Sequence, residues 1–330
     1  MRPLDDHCGS KCHSTVNRRG FIKTLGSAAA LAAATPVMLG GRIIQAAPSP
    51  QSSAESAVAR FFETLSAEQR QVIVMPFDHA LRQRINANWH VTKPTLDDSF
   101  YTDAQRALAK EIVKAVTSPD GYERLQKQMD DDAGGLGGYS VAVFGTPGSG
   151  KFEWELTGRH LTLRADGNSV DQAAFGGPII YGHGIETPTE NLFYYQTKQV
   201  NEVFGALDPK QAEVALMKTA PKEDAVALQG SAGKFPGLAL SELKADQRAL
   251  VEKTLKVLLA PYRQEDADEA LAILKAGGGL DKLHLAFYQQ DDLQGDRVWD
   301  IWRVEGPSFV WHFRGAPHVH AYINIGIKEA

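Results

Sequence analysis

Helical and strand-like segments follow one another in long separate runs along this chain, and this arrangement constrains the fold more than any other feature. The spacing of Val58, Phe61 and Leu65 is that of an amphipathic helix, and helical patterns continue up to the glycines around 134–138. Short apolar or alternating segments follow, which are typical of strands. Separate runs favour an α+β fold over a wound parallel sheet. We predict a helical N-terminal part and antiparallel strands or hairpins packed as one domain.

Capping signals, turns and changes of hydrophobic period set the bounds of the predicted elements. Ser66 and Thr102 each open a capping box, which marks a helix start. Helices are predicted at residues 54–65, 67–76, 103–116, 118–133, 190–205, 208–218, 242–260 and 265–276. Strands are predicted at residues 139–144, 152–157, 160–164, 283–288, 298–304, 309–314 and 318–325. No internal repeat is evident.

The N-terminal segment predicts export. Arg18 and Arg19 precede an aromatic residue, a lysine and an apolar, alanine-rich run, which is the twin-arginine pattern that the export machinery reads as an address. The run is short for a bilayer span, although an uncleaved anchor is the alternative. We predict a signal at 1–47, a flexible leader at 48–53 and a single domain at 54–330. The protein is then periplasmic or secreted, with no stable membrane span after cleavage.

Charge and cysteine content exclude several function classes. The formal net charge is −5, and the bases of the signal leave the remaining chain more acidic still. An acidic domain without basic clusters is unsuited to nucleic acid. The two cysteines, Cys8 and Cys12, both lie in the signal. Any metal in the exported domain must therefore be held by histidine, carboxylate, tyrosine or backbone groups.

A glycine-rich segment at 145–151 has the spacing of a phosphate-binding loop. That chemistry needs a Ser or Thr after the lysine, to bind magnesium, and a helix whose N-terminus faces phosphate. Phe152 follows Lys151 instead, and an alternating strand follows in turn. We predict a loop between two strands, and no nucleotide.

Histidines supply the strongest chemical signal. His318 and His320 share one face of a predicted strand, about 7 Å apart, while their neighbours face the core. Two imidazoles on one face form half of a metal site, and imidazole suits copper or zinc. His160 and the glycine-flanked His183 are the candidates to complete the site. His284 is predicted to be structural.

Three arginines near these strands, Arg159, Arg164 and Arg314, are predicted to bind an anionic small molecule through bidentate contacts. The alternative is that they pair with glutamates at strand edges. Paired acids such as the run at 130–132 are predicted to be solvated.

Several segments carry a family resemblance. These segments read "MPFDHALR", "SPDGYERL", "YSVAVFGTPGSGKFEWELTGRHLTLR", "GGPIIYGHG", "LAFYQQ" and "WDIWRVEGPSFVWHFRGAPHVHAYINIG". Together they resemble the bacterial "domain of unknown function 3500" family from about residue 55 to residue 326. The resemblance implies one continuous, exported domain. It also implies paired histidines where this chain has Arg159 and His160, which leaves His160 as the single candidate there.

The sequence thus predicts an exported protein with a histidine-rich transition-metal site, acting as a metal-dependent oxidoreductase or hydrolase. Three neutral imidazoles and an open position suit a metal that activates water or dioxygen. The alternatives are a non-catalytic periplasmic protein that binds a metal or an anionic ligand, and an accessory protein without a ligand.

Overall fold

The computed structural model describes residues 47–328, so Arg18, Arg19 and nearly all of the predicted signal lie outside the described residues. Eight α-helices lie in the described part of the chain, none of them long and apolar enough to cross a membrane. They are α1 (Ser53–Glu63), α2 (Ala67–Ile73), α3 (Asp103–Ala115), α4 (Pro119–Ala133), α5 (Tyr194–Gly205), α6 (Pro209–Ala215), α7 (Ala245–Leu259) and α8 (Gln264–Ala276).

The described strands form one eleven-stranded sheet. They are β1 (Val74–Met75), β2 (Ser140–Gly145), β3 (Phe152–Gly158), β4 (Leu161–Ala165), β5 (Ile179–His183), β6 (Leu216–Met217), β7 (Leu238–Ala239), β8 (His284–Tyr288), β9 (Ile301–Gly306), β10 (Phe309–Arg314) and β11 (Val319–Ile325). The order is β1-β2-β3-β4-β5-β11-β10-β9-β8-β6, with β7 beside β8. Only the pairs β1–β2 and β6–β8 are parallel among these strands, so the fold is α+β.

Helices and loops cover opposite faces of the sheet. The helices pack on the face that carries Trp154, Leu163 and Trp311, and these side chains join the large core. The loops between β1 and α3 and between β6 and α7 cover the other face, where Trp89 and Val226 anchor smaller apolar clusters. Both faces are therefore buried, which is why polar residues of several strands lie inside the protein.

Most predicted elements are present, with shifts at their ends. The alternation along β11 is confirmed, since Val319 and Ala321 enter the large core while His320 does not. The prediction missed β5 and β7, and it extended two helices over the edge strands β1 and β6. The predicted leader is a hydrogen-bonded turn, in which Ser52 N donates to Ser49 O at 2.9 Å.

The order of elements repeats along the chain. Two helices, an edge strand, two helices and four strands run from α1 to β5 and again from α5 to β11, where β7 is an insertion. The strand order reads the same from either edge, and β5 pairs antiparallel with β11 at its centre. The sheet therefore has two-fold pseudosymmetry, and the expectation of no internal repeat is wrong at the level of structure.

Two buried glutamine pairs mark equivalent points of the two halves. Gln69 and Gln105 exchange side-chain amide hydrogen bonds of 3.0 and 2.9 Å. Gln211 and Gln247 exchange bonds of 3.2 and 2.8 Å. The tetrapeptide Gln-Arg-Ala-Leu begins at Gln105 and again at Gln247. Each pair satisfies buried amides at the junction of two helices, which accounts for its presence in both halves.

A cluster of buried carboxyl groups, which we call the acid cluster, surrounds one arginine beneath α8. Arg263 binds Glu55 through both terminal nitrogens at 2.8 Å and Asp266 through Nε at 2.9 Å. Burial raises the pKa of Asp166 to about 6, of Asp266 to about 7 and of Glu269 to about 8. One guanidinium does not neutralise four carboxyl groups, so some of them hold protons near neutral pH.

Candidate metal centre

His160 lies in the turn between β3 and β4. Its backbone is left-handed, with φ 57°, which is uncommon for a residue with a Cβ. Its N–H donates to Ala87 O at 2.7 Å, so the loop that covers the sheet holds the turn in place. The ring is buried at the end of the sheet where β4 starts and β5 stops.

His318 and His320 reach the same point from the start of β11. Both rings are half-buried, and their Nε2 atoms are 3.1 Å apart. The ring centroids of His318 and His320 lie 5.0 and 4.7 Å from that of His160, and 4.9 Å from each other. One nitrogen from each ring lies within 4.8 Å of the others. The three imidazoles form a nearly equilateral group that can hold a metal ion.

Carboxylates orient two of these rings. Asp132 Oδ2 lies 2.8 Å from His160 Nδ1, and both side chains are only 4% exposed. Glu223, on the loop between β6 and α7, has both carboxylate oxygens 3.2 Å from His320 Nδ1. An ionised carboxylate accepts, so each ring carries its proton on Nδ1 and leaves Nε2 free to bind a metal.

The charge states of the centre favour coordination. Burial, and then the nearby His320 and His160, lower the pKa of His318 to about 4. Burial also lowers the pKa of His320. Burial opposes ionisation of Glu223, but the hydrogen bond and charge of His320 outweigh it and lower the pKa to about 2. At neutral pH the rings of His318 and His320 are therefore uncharged, as a histidine that binds a metal must be.

Two glycines make room for this arrangement. A Cβ at Gly184 would lie 2.6 Å from Asp132 Oδ1, and a Cβ at Gly182 would lie 2.3 Å from the carbonyl oxygen of Val319 and 3.1 Å from His160 Cβ. Both glycines flank His183 in the sequence. Their role in the structure is to let His160 and Asp132 approach the ends of β5 and β11.

The structure does not bring His183 to the group. This ring is fully buried on the helix side, with Nε2 3.0 Å from Asp131 and Nδ1 accepting from Leu192 N at 3.2 Å. Both ring nitrogens are used, so none remains for a metal. His284 lies apart on β8, where Nδ1 is 3.4 Å from Gly237 O.

We predicted that the acid run at the end of α4 is solvated, but this prediction is wrong for Asp132, whose side chain is only 4% exposed. Asp131 binds His183, whereas Asp132 is buried against His160 and also accepts from Gln128 Nε2 at 2.8 Å and Gly184 N at 3.0 Å. Asp132 and Glu223 are the functional residues that the sequence did not single out. Only a tertiary contact brings either of them to a histidine.

The three arginines fall into two groups. Arg159 is half exposed, with Nε 3.8 Å from Asp132 Oδ1, and Arg314 Nε binds Glu223 at 2.6 Å. Both lie beside the histidines. Arg164 is fully buried between Glu153 and Glu155 and cannot meet a dissolved ligand. For Arg164 the pairing with glutamate, which the sequence left as the alternative, is the arrangement that the structure shows.

A cleft of about 430 Å³ adjoins the centre. Its walls are the loops that carry Asn86, Asn88 and Glu223, and His320 and Tyr322 line it from β11. Its lining combines amide, charged and phenolic groups with the apolar side chains of Ile85 and Ala87.

The family follows from comparison with known proteins. A family model described as "Protein of unknown function (DUF3500)" matches residues 47–323. The chain belongs to this family. No curated protein and no solved structure matches it. The DUF3500 match contains His160, His318 and His320, so the centre lies within the family's own domain and not in an added segment.

Proposed function

We propose that this protein is an exported metal-dependent enzyme, an oxidoreductase or a hydrolase, that binds one copper or zinc ion at His160, His318 and His320. The observation that carries the proposal is the convergence of three imidazoles, two of them oriented by carboxylates. Ligating histidines characteristically donate their other N–H to such a partner. Three protein ligands leave a position open, which is the pattern of catalytic and not structural sites.

The ligand set is consistent with both copper and zinc. Imidazole is a good ligand for either ion, and no thiolate lies among the described residues to favour Cu(I). A bound ion would supply Lewis acidity and, in the case of zinc, would lower the pKa of a bound water to about 7. Arg159 and Arg314 each lie against a carboxylate of the centre, and their remaining guanidinium N–H groups would bind an anionic substrate.

Metal analysis of the purified protein tests this proposal. After reconstitution with zinc or copper and removal of excess, we expect one ion per chain in the wild type and in His284→Ala. The double variant His318→Ala/His320→Ala should retain none. A stoichiometric ion in the double variant, at wild-type affinity, places the site elsewhere and refutes the proposal.

The second candidate is a non-catalytic protein that binds a metal or an anionic ligand. The observation that favours it is the pair of guanidinium groups beside the histidines, one of them half exposed. Calorimetric titration with acetate, with and without zinc, should show weaker binding for Arg159→Ala than for Arg60→Ala, a remote surface control. Tight acetate binding by the metal-free protein, together with no catalytic turnover by the zinc-loaded protein, favours this candidate.

A further inference from the structure

The three histidines of the proposed centre are not equivalent. His160 and His320 each have a carboxylate at Nδ1, at 2.8 and 3.2 Å. His318 Nδ1 is a buried atom that has no hydrogen-bond partner among the described residues. Since the partner at the second nitrogen fixes the tautomer and raises the basicity of a ligating ring, His318 is the weakest ligand of the three.

The proton distribution gives the same ranking. Glu223 holds a proton on His320 Nδ1, so His320 Nε2 is bare and accepts from His318 Nε2 across 3.1 Å. For His318 to bind a metal through Nε2, that proton must leave or move to Nδ1, where nothing in the described chain accepts it. His160 and His320 need no such rearrangement.

The position of His318 in the fold supports the same ranking of the three ligands. His318 is the residue immediately before β11, whereas His320 lies within the strand and pairs with Gly182 on one side and Arg314 on the other. The rings of His318 and His320 are both half-buried, while that of His160 is fully buried. A ring at a strand end is freer to turn away than a ring held in the sheet or under a loop.

We propose that His318 is the exchangeable ligand of the centre, with His160 and His320 as its permanent ligands. This inference rests on the proposed function. It means that the coordination position of His318 opens when a substrate or other ligand binds, while the remaining two rings keep the metal in place.

Cobalt(II) titration of the full chain tests the ranking, because the visible absorption of this ion reports its coordination. Loss of the outer carboxylate that orients a ligating histidine characteristically costs about 10- to 100-fold in metal affinity, so a ring without such a partner contributes correspondingly less. We therefore expect the cobalt dissociation constant of His318→Ala to be at least about tenfold lower than that of His160→Ala or His320→Ala. Added imidazole should restore the wild-type spectrum of His318→Ala but not of the other two. His284→Ala is the matched control.

The outcomes separate the two proposals. If the wild type binds no cobalt, the proposed function fails. If it binds one ion but His318→Ala loses as much affinity as His160→Ala, only the ranking is overturned. His318→Asn, which keeps a polar side chain, should rank with His318→Ala, and thermal unfolding of every variant identifies losses that come from misfolding.

Discussion

Replacing Asp132 with asparagine should weaken metal binding without removing any ligand. The carboxylate is fully used: Oδ2 accepts from His160 Nδ1 and Gln128 Nε2, each at 2.8 Å, and Oδ1 accepts from Gly184 N at 3.0 Å. An asparagine of the same shape has one acceptor and one donor. Whichever way its amide is turned, an N–H group faces another N–H group.

The two orientations have different costs. With its oxygen toward His160, the new amide sets its NH₂ against the N–H of Gly184. With its NH₂ toward His160, it opposes Gln128 and moves the imidazole proton to Nε2, the atom that must bind the metal. A buried donor without an acceptor costs about 1–3 kcal/mol. Loss of the outer carboxylate costs about 10- to 100-fold in metal affinity, which is about 1.4–2.7 kcal/mol.

Zinc affinity, measured by competition with a chelating dye, provides the assay, with chemical denaturation of the metal-free protein beside it. Asp131→Asn is the matched control, because Asp131 is the neighbouring acid and binds His183 outside the centre. We expect Asp132→Asn to lose zinc affinity by that factor and Asp131→Asn to keep it. If both variants bind zinc as the wild type does, Asp132 does not orient a ligand and the assignment of His160 is wrong.

Four further predictions follow from other parts of the chain. The carboxyl groups of the acid cluster with raised pKa values hold protons to higher pH in the folded than in the unfolded chain. Above about pH 6.5, where the lowered pKa values of His318 and His320 no longer change stability, the free energy of unfolding should therefore fall as the pH rises to about 8; urea melts that show it constant or rising over this range contradict the cluster. Gln105→Leu and Gln247→Leu should each destabilise the protein by about 1–3 kcal/mol, since the partners of each amide stay buried without a hydrogen bond. If chemical denaturation shows that only one of the two variants loses stability, the two glutamine pairs are not equivalent. Gly184→Ala should lower zinc affinity through the contact of its Cβ with the orienting carboxylate, and an unchanged dissociation constant refutes this. Changing Arg18 and Arg19 to lysine should keep the protein in the cytoplasm, because the export receptor reads the guanidinium pair; fractionation that finds normal export excludes the signal.

The sequence pattern alone predicted the structure correctly where a single helix or strand determines the position of a side chain. Alternation along β11 predicted that His318 and His320 share a face, because side chains of a strand alternate and the apolar neighbours must face the core. The same reasoning missed β5, where a five-residue strand lies between glycines that also suit a loop. The role of Gly182 and Gly184 depends on what approaches them, and that is set by other elements.

Tertiary contacts decided the rest of the site. Glu223 lies in an irregular loop with no sequence signal, and only the course of that loop over β11 brings its carboxylate to His320. Arg164 and Arg159 are close in sequence, yet one is fully buried and the other is half exposed. The repeat escaped notice because only scattered positions, such as Gln105 and Gln247, keep the same residue in both halves.

The histidine group draws on both halves of the pseudosymmetric sheet. His160 and its partner Asp132 come from the first half, and His318, His320 and Glu223 come from the second. Neither half alone contains three of these imidazoles. In the unfolded chain, gathering them closes a loop of roughly 160 residues, with an entropic cost on the order of 4–5 kcal/mol.

A metal at this position would therefore bind to all three histidines only in completely folded molecules. It would have its third imidazole only when the two halves have come together, as they do where β5 pairs with β11. An ion held by all three rings would then record that the chain has completed its assembly. If the chain is exported in the folded state, as proposed, occupancy of the centre would report inside the cell that folding is complete.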